Sequence, residues 1–510
     1  MTAAHKTDLL DLSKNRLADL PTRPSSKGDQ WMKYLGFPLG IGLFLVLFYL
    51  PTPEGMTRAA QVVIACFTTA LIWWVAEPVP TYVTSLLLMG MLVFFDGWSE
   101  KNVLGVLGFD VIWLNVLAFI LSSMMIKTNL AKRLALALIV RFGHNAYQIT
   151  LAFFLLNLFL AGLIPATAAR AAMLLPILLV IAAIYGSTHQ NSNNFGKNLL
   201  LQNMQAIDFG SSAFMTGSNA NIIAIAFILS MGSTRIYYSD WLFANLPVVV
   251  TAMLIGWFIG PRWVFRLKNE EKVPQLEGGL ERMRLELKKM GPIGIGEIKS
   301  LMIFGMVIFL WVTDKQHLSW FGFDISAVMA AFIGVLIAFF PKIGILKWNE
   351  ADIPWHLMIF SCGAYAGGLA LNDTGAANWL VGRLFDFLNI QPGINFWLVY
   401  VIVIVVNMYS HLFFTSKTMR TLIMIPFTIA MAKQLGFDPV WLALPAAFTI
   451  DWVISLPINA KPNVIMYSTG QYSTLENLKY GIIMTTIGAI LLIIAGFTWF
   501  RILGITPRFQ

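Results

Sequence analysis

Long stretches of this chain contain no charged residue, and that limits the available folds more than any motif does. Leu35–Pro53, Ala59–Ala76, Ser300–Thr313, Ile325–Pro341 and Tyr480–Phe500 are all uncharged. Most of these windows approach the roughly 20 residues that an α-helix needs to cross a hydrocarbon core. A backbone in lipid must satisfy its own hydrogen bonds, so such runs become helices. Only 12% of the 510 residues are Asp, Glu, Lys or Arg, about half the share of a soluble domain. The chain reads as an all-α polytopic membrane protein whose first partner is the lipid bilayer.

The net charge of +9 does not indicate a nucleic-acid partner, because the cations concentrate in two hydrophilic places with no aromatic interleaving. One is the tail up to Lys33, with Lys6, Lys14, Arg16, Arg23 and Lys27. The other is Arg262–Lys299, which includes Arg266, Lys268, Lys272, Arg282, Arg284, Lys288 and Lys289. The positive-inside rule puts both on the cytoplasmic side, so the N-terminus is expected in the cytoplasm of a multi-pass plasma-membrane protein. The tail has neither the apolar core nor the cleavage site of a signal peptide. Cys66 and Cys362 lie in apolar segments and read as packing residues.

The central polar segment divides the chain into halves of similar length, and the halves resemble each other. "DVIW" (Asp110–Trp113) returns as "DIPW" (Asp352–Trp355), and "NLFLAGLIPATAARAAMLLP" (Asn157–Pro176) returns as "NMYSHLFFTSKTMRTLIMIP" (Asn407–Pro426). In the second pair Asn157 matches Asn407, Arg170 matches Arg420 and Pro176 matches Pro426 without a gap. Further on, "IDFGSSAFMTGSNANII" is echoed by "IDWVISLPINAKPNVI", aligning Asp208 with Asp451 and Asn221 with Asn463.

Spans are expected near 34–50, 58–77, 79–95, 110–127, 199–227 and 241–262, then near 299–314, 322–341, 354–371, 440–468 and 480–502. Each half also holds an apolar block, 148–186 or 395–436, interrupted by the Arg-bearing motif. If each block is a re-entrant hairpin, each half crosses five times, giving about 11 transmembrane helices with the extra N-terminal one. An odd number inverts the second half relative to the first, the plan of many secondary transporters. Two full spans per block would invert it equally. The expected organisation is a tail (1–33), a first helix and loop (34–57), a first inverted repeat (58–263), an amphipathic cytoplasmic linker (264–298) and a second inverted repeat (299–510).

Polar residues at membrane depth are tolerated where they line a cavity or are buried in protein. Two kinds of break carry them in each half. The hairpin tips are "PATAAR" (Pro165–Arg170) and "TSKTMR" (Thr415–Arg420); the interrupted spans are "TGSNAN" (Thr216–Asn221) and "INAKPN" (Ile458–Asn463). Broken helices present unpaired N–H groups and a positive dipole end, which suit an anion. Candidate substrate-binding residues are Ala166, Thr167, Ala168 and Arg170 at the first tip, and Thr216, Gly217, Asn219 and Asn221 at the first break. His411, Ser416, Lys417, Thr418 and Arg420 are candidates at the second tip, and Asn459, Lys461, Pro462 and Asn463 at the second break. Arg can grip a carboxylate with two parallel hydrogen bonds, so an anionic substrate is expected. Each charge also has a structural alternative. Arg170 and Arg420 can pair with Asp208 and Asp451, Lys417 can snorkel to an interface, Lys461 can be solvated, and His411 can be a hydrogen-bonded packing residue. HExxH, GxSxG, Walker A and CxxC patterns do not occur. No enzyme activity, metal or cofactor is expected.

At these positions the chain resembles the divalent anion/sodium symporter family of di- and tricarboxylate transporters. "WWVAEPVPTYVTSLLLM" (Trp73–Met89) is similar to an early signature of that family. The tips fall where the family carries paired Ser-Asn-Thr motifs, and the breaks where it has Pro-Pro-Asn-type loops. Within the family the chain looks closest to the exchanger branch, where "PATAAR" is similar to "PSNTAR", "HLFFTSKT" to "HYFFASxT" and "FMTGSNAN" to the corresponding break. The resemblance implies a scaffold domain, a moving transport domain, a homodimer, and substrate carboxylates meeting the two Ser-Asn-Thr equivalents. It also marks two departures. Ala166-Thr167-Ala168 lacks the first hydroxyl and the amide, and Ser416-Lys417-Thr418 has an ammonium where the symporters' Asn helps hold sodium. A fixed cation there opposes a bound Na⁺ at close range. The expected function is therefore sodium-independent exchange of C4/C5 dicarboxylates (2-oxoglutarate, malate, succinate, fumarate) by elevator-type alternating access. Na⁺- or H⁺-coupled di- or tricarboxylate symport is the alternative.

Overall fold

A computed structural model describes residues 27–388, 393–414 and 416–507. Most of the basic tail and Thr415 of the second tip lie outside the described residues. Every regular element among those described is helical. The first half runs through α1 (Lys27–Tyr49), α2 (Arg58–Ala76), α3 (Thr81–Phe94), the short α4 (Glu100–Gly105), α5 (Asp110–Lys127) and α6 (Leu130–Phe142). It continues with α7 (Ala146–Ala161), α8 (Thr167–Ile184), α9 (Asn194–Ser212), α10 (Asn219–Gly232) and α11 (Tyr238–Ile259). After the linker helix α12 (Gly279–Lys289) come α13 (Ile295–Val312), the short α14 (His317–Phe321), α15 (Ala327–Phe339), α16 (Trp355–Asp373) and α17 (Ala376–Leu388). The chain ends with α18 (Phe396–Ser410), α19 (Lys417–Gln434), α20 (Pro439–Thr449), α21 (Lys461–Tyr467), α22 (Thr474–Phe497) and the short α23 (Trp499–Leu503).

The same order of elements recurs in the two halves. α5 and α16 precede α6 and α17, which lead into the helix pairs α7–α8 and α18–α19. The broken pairs α9–α10 and α20–α21 follow, and α11 and α22 close each half. Eight helices among the described residues are long and apolar enough to cross a membrane, and α3, α7, α10, α15 and α20 are shorter apolar helices. Spans expected at 199–227 and 440–468 are each two helices; the first pair is separated at 213–218 and the second at 450–460, so the breaks overlap the predicted stretches but begin before them. α6 and α17 were not anticipated. α6 is amphipathic, with Leu130, Ala131, Ala135, Leu136 and Ile139 buried, and α12 packs on it by burying Met283.

Packing sorts the helices into two groups. In the first, α1 lies on α2, α3 on α16, and α5 on α15. The α3–α16 contact is close because of small residues: a Cβ added to Gly363 would lie 2.4 Å from the Ser85 side chain. Without a hydrophobic driving force in lipid, such close approach supplies the van der Waals contact that holds helices together. The second group holds α7–α11 and α18–α22, and its contacts are crossed between halves. Hairpin helix α8 packs on α21, and hairpin helix α19 packs on α10. At the centre of this group lies α9, on which every residue from Phe195 to Ser212 except Lys197 is buried. Its face carries Asn198, Gln202, Asn203, Gln205 and Asp208, an expensive set to enclose unless each finds a partner.

Candidate functional site

The two hairpin tips start equivalent helices with different chemistry. Ser416 caps α19, its hydroxyl accepting from the Met419 amide at 3.4 Å. Ala166, in the same place before α8, has no side-chain cap to offer. Ala166, Thr167, Ala168, Ser416 and Thr418 are half-buried, whereas Arg170 and Arg420, each the fourth residue of its helix, are fully buried.

The breaks are held open by a pair of asparagines. Asn221 donates to the carbonyls of Ser211 (2.9 Å) and Phe214 (3.0 Å). Asn463 donates to those of Val453 (2.6 Å) and Leu456 (3.4 Å). All three positions correspond between halves at a constant spacing of 242 residues. Each amide thus adds a donor to carbonyls in the stretch where a helix is interrupted. Gly217 lets the first break fold tightly, since a Cβ there would sit 2.1 Å from the Ser211 oxygen. The buried Thr216 hydroxyl lies 3.4 Å from that of Tyr238. Asn459 ties the second break to the second tip by donating to the carbonyls of His411 (2.6 Å) and Phe414 (3.1 Å). Pro462 is buried at the start of α21.

Neither arginine makes an ion pair with the aspartates. Arg170 donates to the carbonyls of Asn157 (3.4 Å), Ile207 (3.5 Å) and Gly217 (3.2 Å), and to the Ser211 hydroxyl. Arg420 donates to the Thr449 carbonyl at 2.5 Å. Both bind backbone oxygens released by the breaks, and so join tip to break in each half. The aspartates are taken instead by Lys417, whose Nζ lies 2.7 Å from Asp208 and 3.2 Å from Asp451. These are ion pairs by distance, with angles outside those of a good hydrogen bond. The side chain of Lys417 is 8% exposed and both carboxylates are fully buried. An ammonium at a helix N-terminus faces the positive end of the dipole, and here two carboxylates from other elements offset that field. Snorkelling of Lys417 to an interface is thereby ruled out.

Two further candidates stand apart from this cluster. His411 is fully buried with both ring nitrogens engaged, Nδ1 with the Met408 carbonyl at 2.5 Å and Nε2 with the Ser455 hydroxyl at 2.7 Å. Its contacts are those of the hydrogen-bonded packing residue that the sequence offered as the alternative. Lys461 is exposed at the first position of α21. Its counterpart Asn219 accepts from Asn115 at 2.5 Å and donates to Ser361 at 3.0 Å, linking the first break to α5 and α16. The sequence offers Asp208 and Asp451 as partners of the arginines and as groups that could serve protons in coupled symport, not as substrate-binding residues. Two repeat-matched acids inside apolar runs were signal enough to include them. Ser218, whose hydroxyl donates to Asp451 at 2.8 Å, carried no such signal.

The enclosed charges are three cations, Arg170, Lys417 and Arg420, against two carboxylates, so one positive charge remains. With the N-termini of α8, α10 and α19 converging from tips and breaks, the cluster is suited to an anion.

Residues 30–506 match the family described as the sodium:sulfate symporter transmembrane region. A membrane protein of Cupriavidus necator is 26% identical over 493 residues, covering 92% of this chain and 93% of that one. The sodium-dependent dicarboxylate transporter SdcS of Staphylococcus saprophyticus is 26% identical over 476 residues, covering 90% of each chain. Among solved structures, the Alcanivorax borkumensis YdaH transporter aligns with 92% of this chain at 12% identity and a TM-score of 0.49. A family match spanning nearly the whole chain, on a helical framework with eight candidate spans, makes this a membrane transport protein rather than an enzyme, and the chain belongs to the divalent anion/sodium symporter family.

Proposed function

We propose that the chain carries C4 and C5 dicarboxylates, such as succinate, malate, fumarate or 2-oxoglutarate, across the membrane in company with a cation. The residual positive charge of the buried cluster supports a dianionic substrate. The sodium-dependent dicarboxylate transporters among its relatives support the same substrate class and a coupling ion. The observation that carries the coupled reading is the pairing of Lys417 with Asp208 and Asp451. An empty site full of unpaired buried cations would resist translocation and so impose obligatory exchange. With the ammonium already neutralised, most of that resistance disappears. Exchange stands as the second reading, favoured by the ammonium in the sodium-binding Asn position of the second tip.

In this proposal Arg170 and Arg420 fix the tips to the breaks, and the half-buried tip residues 166–168, 416 and 418 meet the substrate. The exposed Lys461 draws the anion in. The group containing α7–α11 and α18–α22 moves against the group containing α1–α3, α5, α15 and α16, which serves as scaffold and dimer surface. The halves are inverted in the plasma membrane, with the N-terminus and linker cytoplasmic. Proteoliposomes without internal dicarboxylate test the reading. Labelled succinate should accumulate when a Na⁺ or pH gradient is imposed. Uptake that requires internal dicarboxylate and ignores both gradients would instead establish exchange.

A further inference from the structure

Resting on the coupled reading above, we infer that the coupling cation is a proton and that Asp208 is the group that carries it. The two carboxylates that meet Lys417 are not equivalent. Asp451 keeps the Ser218 hydroxyl as a donor at 2.8 Å whatever the lysine does. Neither oxygen of Asp208 receives a hydrogen bond, and its one close partner is the ammonium at 2.7 Å. Other ionisable groups that act on Asp208 do so without direct contact: Arg170 from α8, Arg420 from α19, Asp451 from the second break and Tyr472 from the loop before α22.

A dicarboxylate reaching the site competes for the ammonium of Lys417. As the lysine turns to it, Asp208 is left with two bare oxygens in an enclosed setting with no donor in contact. A buried carboxylate in that position neutralises rather than remaining charged. It does so by accepting a proton from the open aqueous side, which forms the O–H bond of a carboxylic acid. The charges then balance. The empty cluster carries one positive charge, the dianion brings two negatives, and one proton makes the loaded site neutral and able to cross. On the far side, substrate leaves, the ammonium returns to Asp208, and the proton is released to water. In the empty site the position between the two carboxylates that a sodium ion would need is already taken by the Lys417 ammonium.

Calorimetry of succinate binding to the purified full chain, in two buffers of different ionisation enthalpy at one pH, counts the protons taken up. The expected result is about one proton per succinate in the parent and none in D208N. Parallel liposome measurements should find uptake driven by an inward proton gradient and indifferent to Na⁺. Binding with no linked proton, or a linked proton retained in D208N, overturns the assignment while dicarboxylate transport stands. If D208N does not fold, the parent's proton count and gradient response still decide. No heat from any C4 or C5 diacid would overturn the dicarboxylate reading itself, a distinct failure.

Discussion

Lys417→Asn makes the sharpest demand on this structure. The substitution removes an ammonium 2.7 Å from Asp208 and 3.2 Å from Asp451 and leaves both carboxylates buried without a cation in contact. Breaking one partner out of a buried pair costs about 3–5 kcal/mol, whereas replacing both partners by neutral groups is often close to neutral. D208N/K417N should therefore be more stable than K417N alone. A double-mutant cycle should give a favourable coupling of about 2–3 kcal/mol between positions 208 and 417. The assay is denaturant unfolding of purified protein in mixed micelles, followed by far-UV circular dichroism, on the parent, two single variants and the double. Costs that add within about 0.5 kcal/mol would refute the pairing. A second readout is free in the same samples. If the ammonium stands in for an ion, K417N should be stabilised by Na⁺, by about 2.7 kcal/mol at a hundredfold excess over its dissociation constant. The parent should not respond.

Gly217→Ala puts a methyl 2.1 Å from the Ser211 oxygen; it should cost about 1–3 kcal/mol and reduce transport at least tenfold at equal surface expression, and full activity would mean that the first break can widen freely. Asn221→Ala and Asn463→Ala each strip donors from two carbonyls. Each should lose about 0.5–1.5 kcal/mol per hydrogen bond, so a variant that unfolds like the parent would deny that these amides hold the breaks. On the surface, hydrogen bonds from the Lys127 ammonium (2.6 Å) and the Lys347 amide (2.7 Å) hold the Glu350 carboxyl below its ordinary range. A depressed carboxyl contributes stability above its unfolded-state range and loses it as pH falls through the folded value. Thermal unfolding of Glu350→Gln should therefore trail the parent at neutral pH and converge with it in strong acid; a gap that persists in acid contradicts the assignment.

The repeat was legible because polar residues in apolar runs are costly and therefore conspicuous. Asn157/Asn407, Arg170/Arg420 and Asn221/Asn463 could be aligned by eye, and "TGSNAN" and "INAKPN" mark where the broken helices resume, Gly217 before one and Pro462 in the first turn of the other, although the second break opens earlier, at 450. α6 and α17 were hidden, since an amphipathic helix has neither a long uncharged window nor a motif. Partner choice was hidden for a different reason. Arg170, Arg420 and Lys417 are all within plausible reach of two acids in a linear reading, and only the folded position of the first residue of α19, between Asp208 and Asp451, selects the lysine. The arginines then turn to backbone carbonyls, among them those of Gly217 and Thr449 at the two breaks.

The crossed packing of the two hairpins bears on how the protein is made. Thr167 opens α8, and the helix it packs on, α21, does not begin until Lys461. At about 5–20 residues per second, a ribosome needs roughly 15–60 s to supply that partner. Through that interval Arg170 has its own half's carbonyls to bind, while the α8 surface that will meet α21 stays uncovered. Biogenesis therefore requires a newly inserted first half to wait in the membrane, half-assembled, without aggregating. A fragment ending at the linker should be a client for membrane chaperones rather than a stable domain.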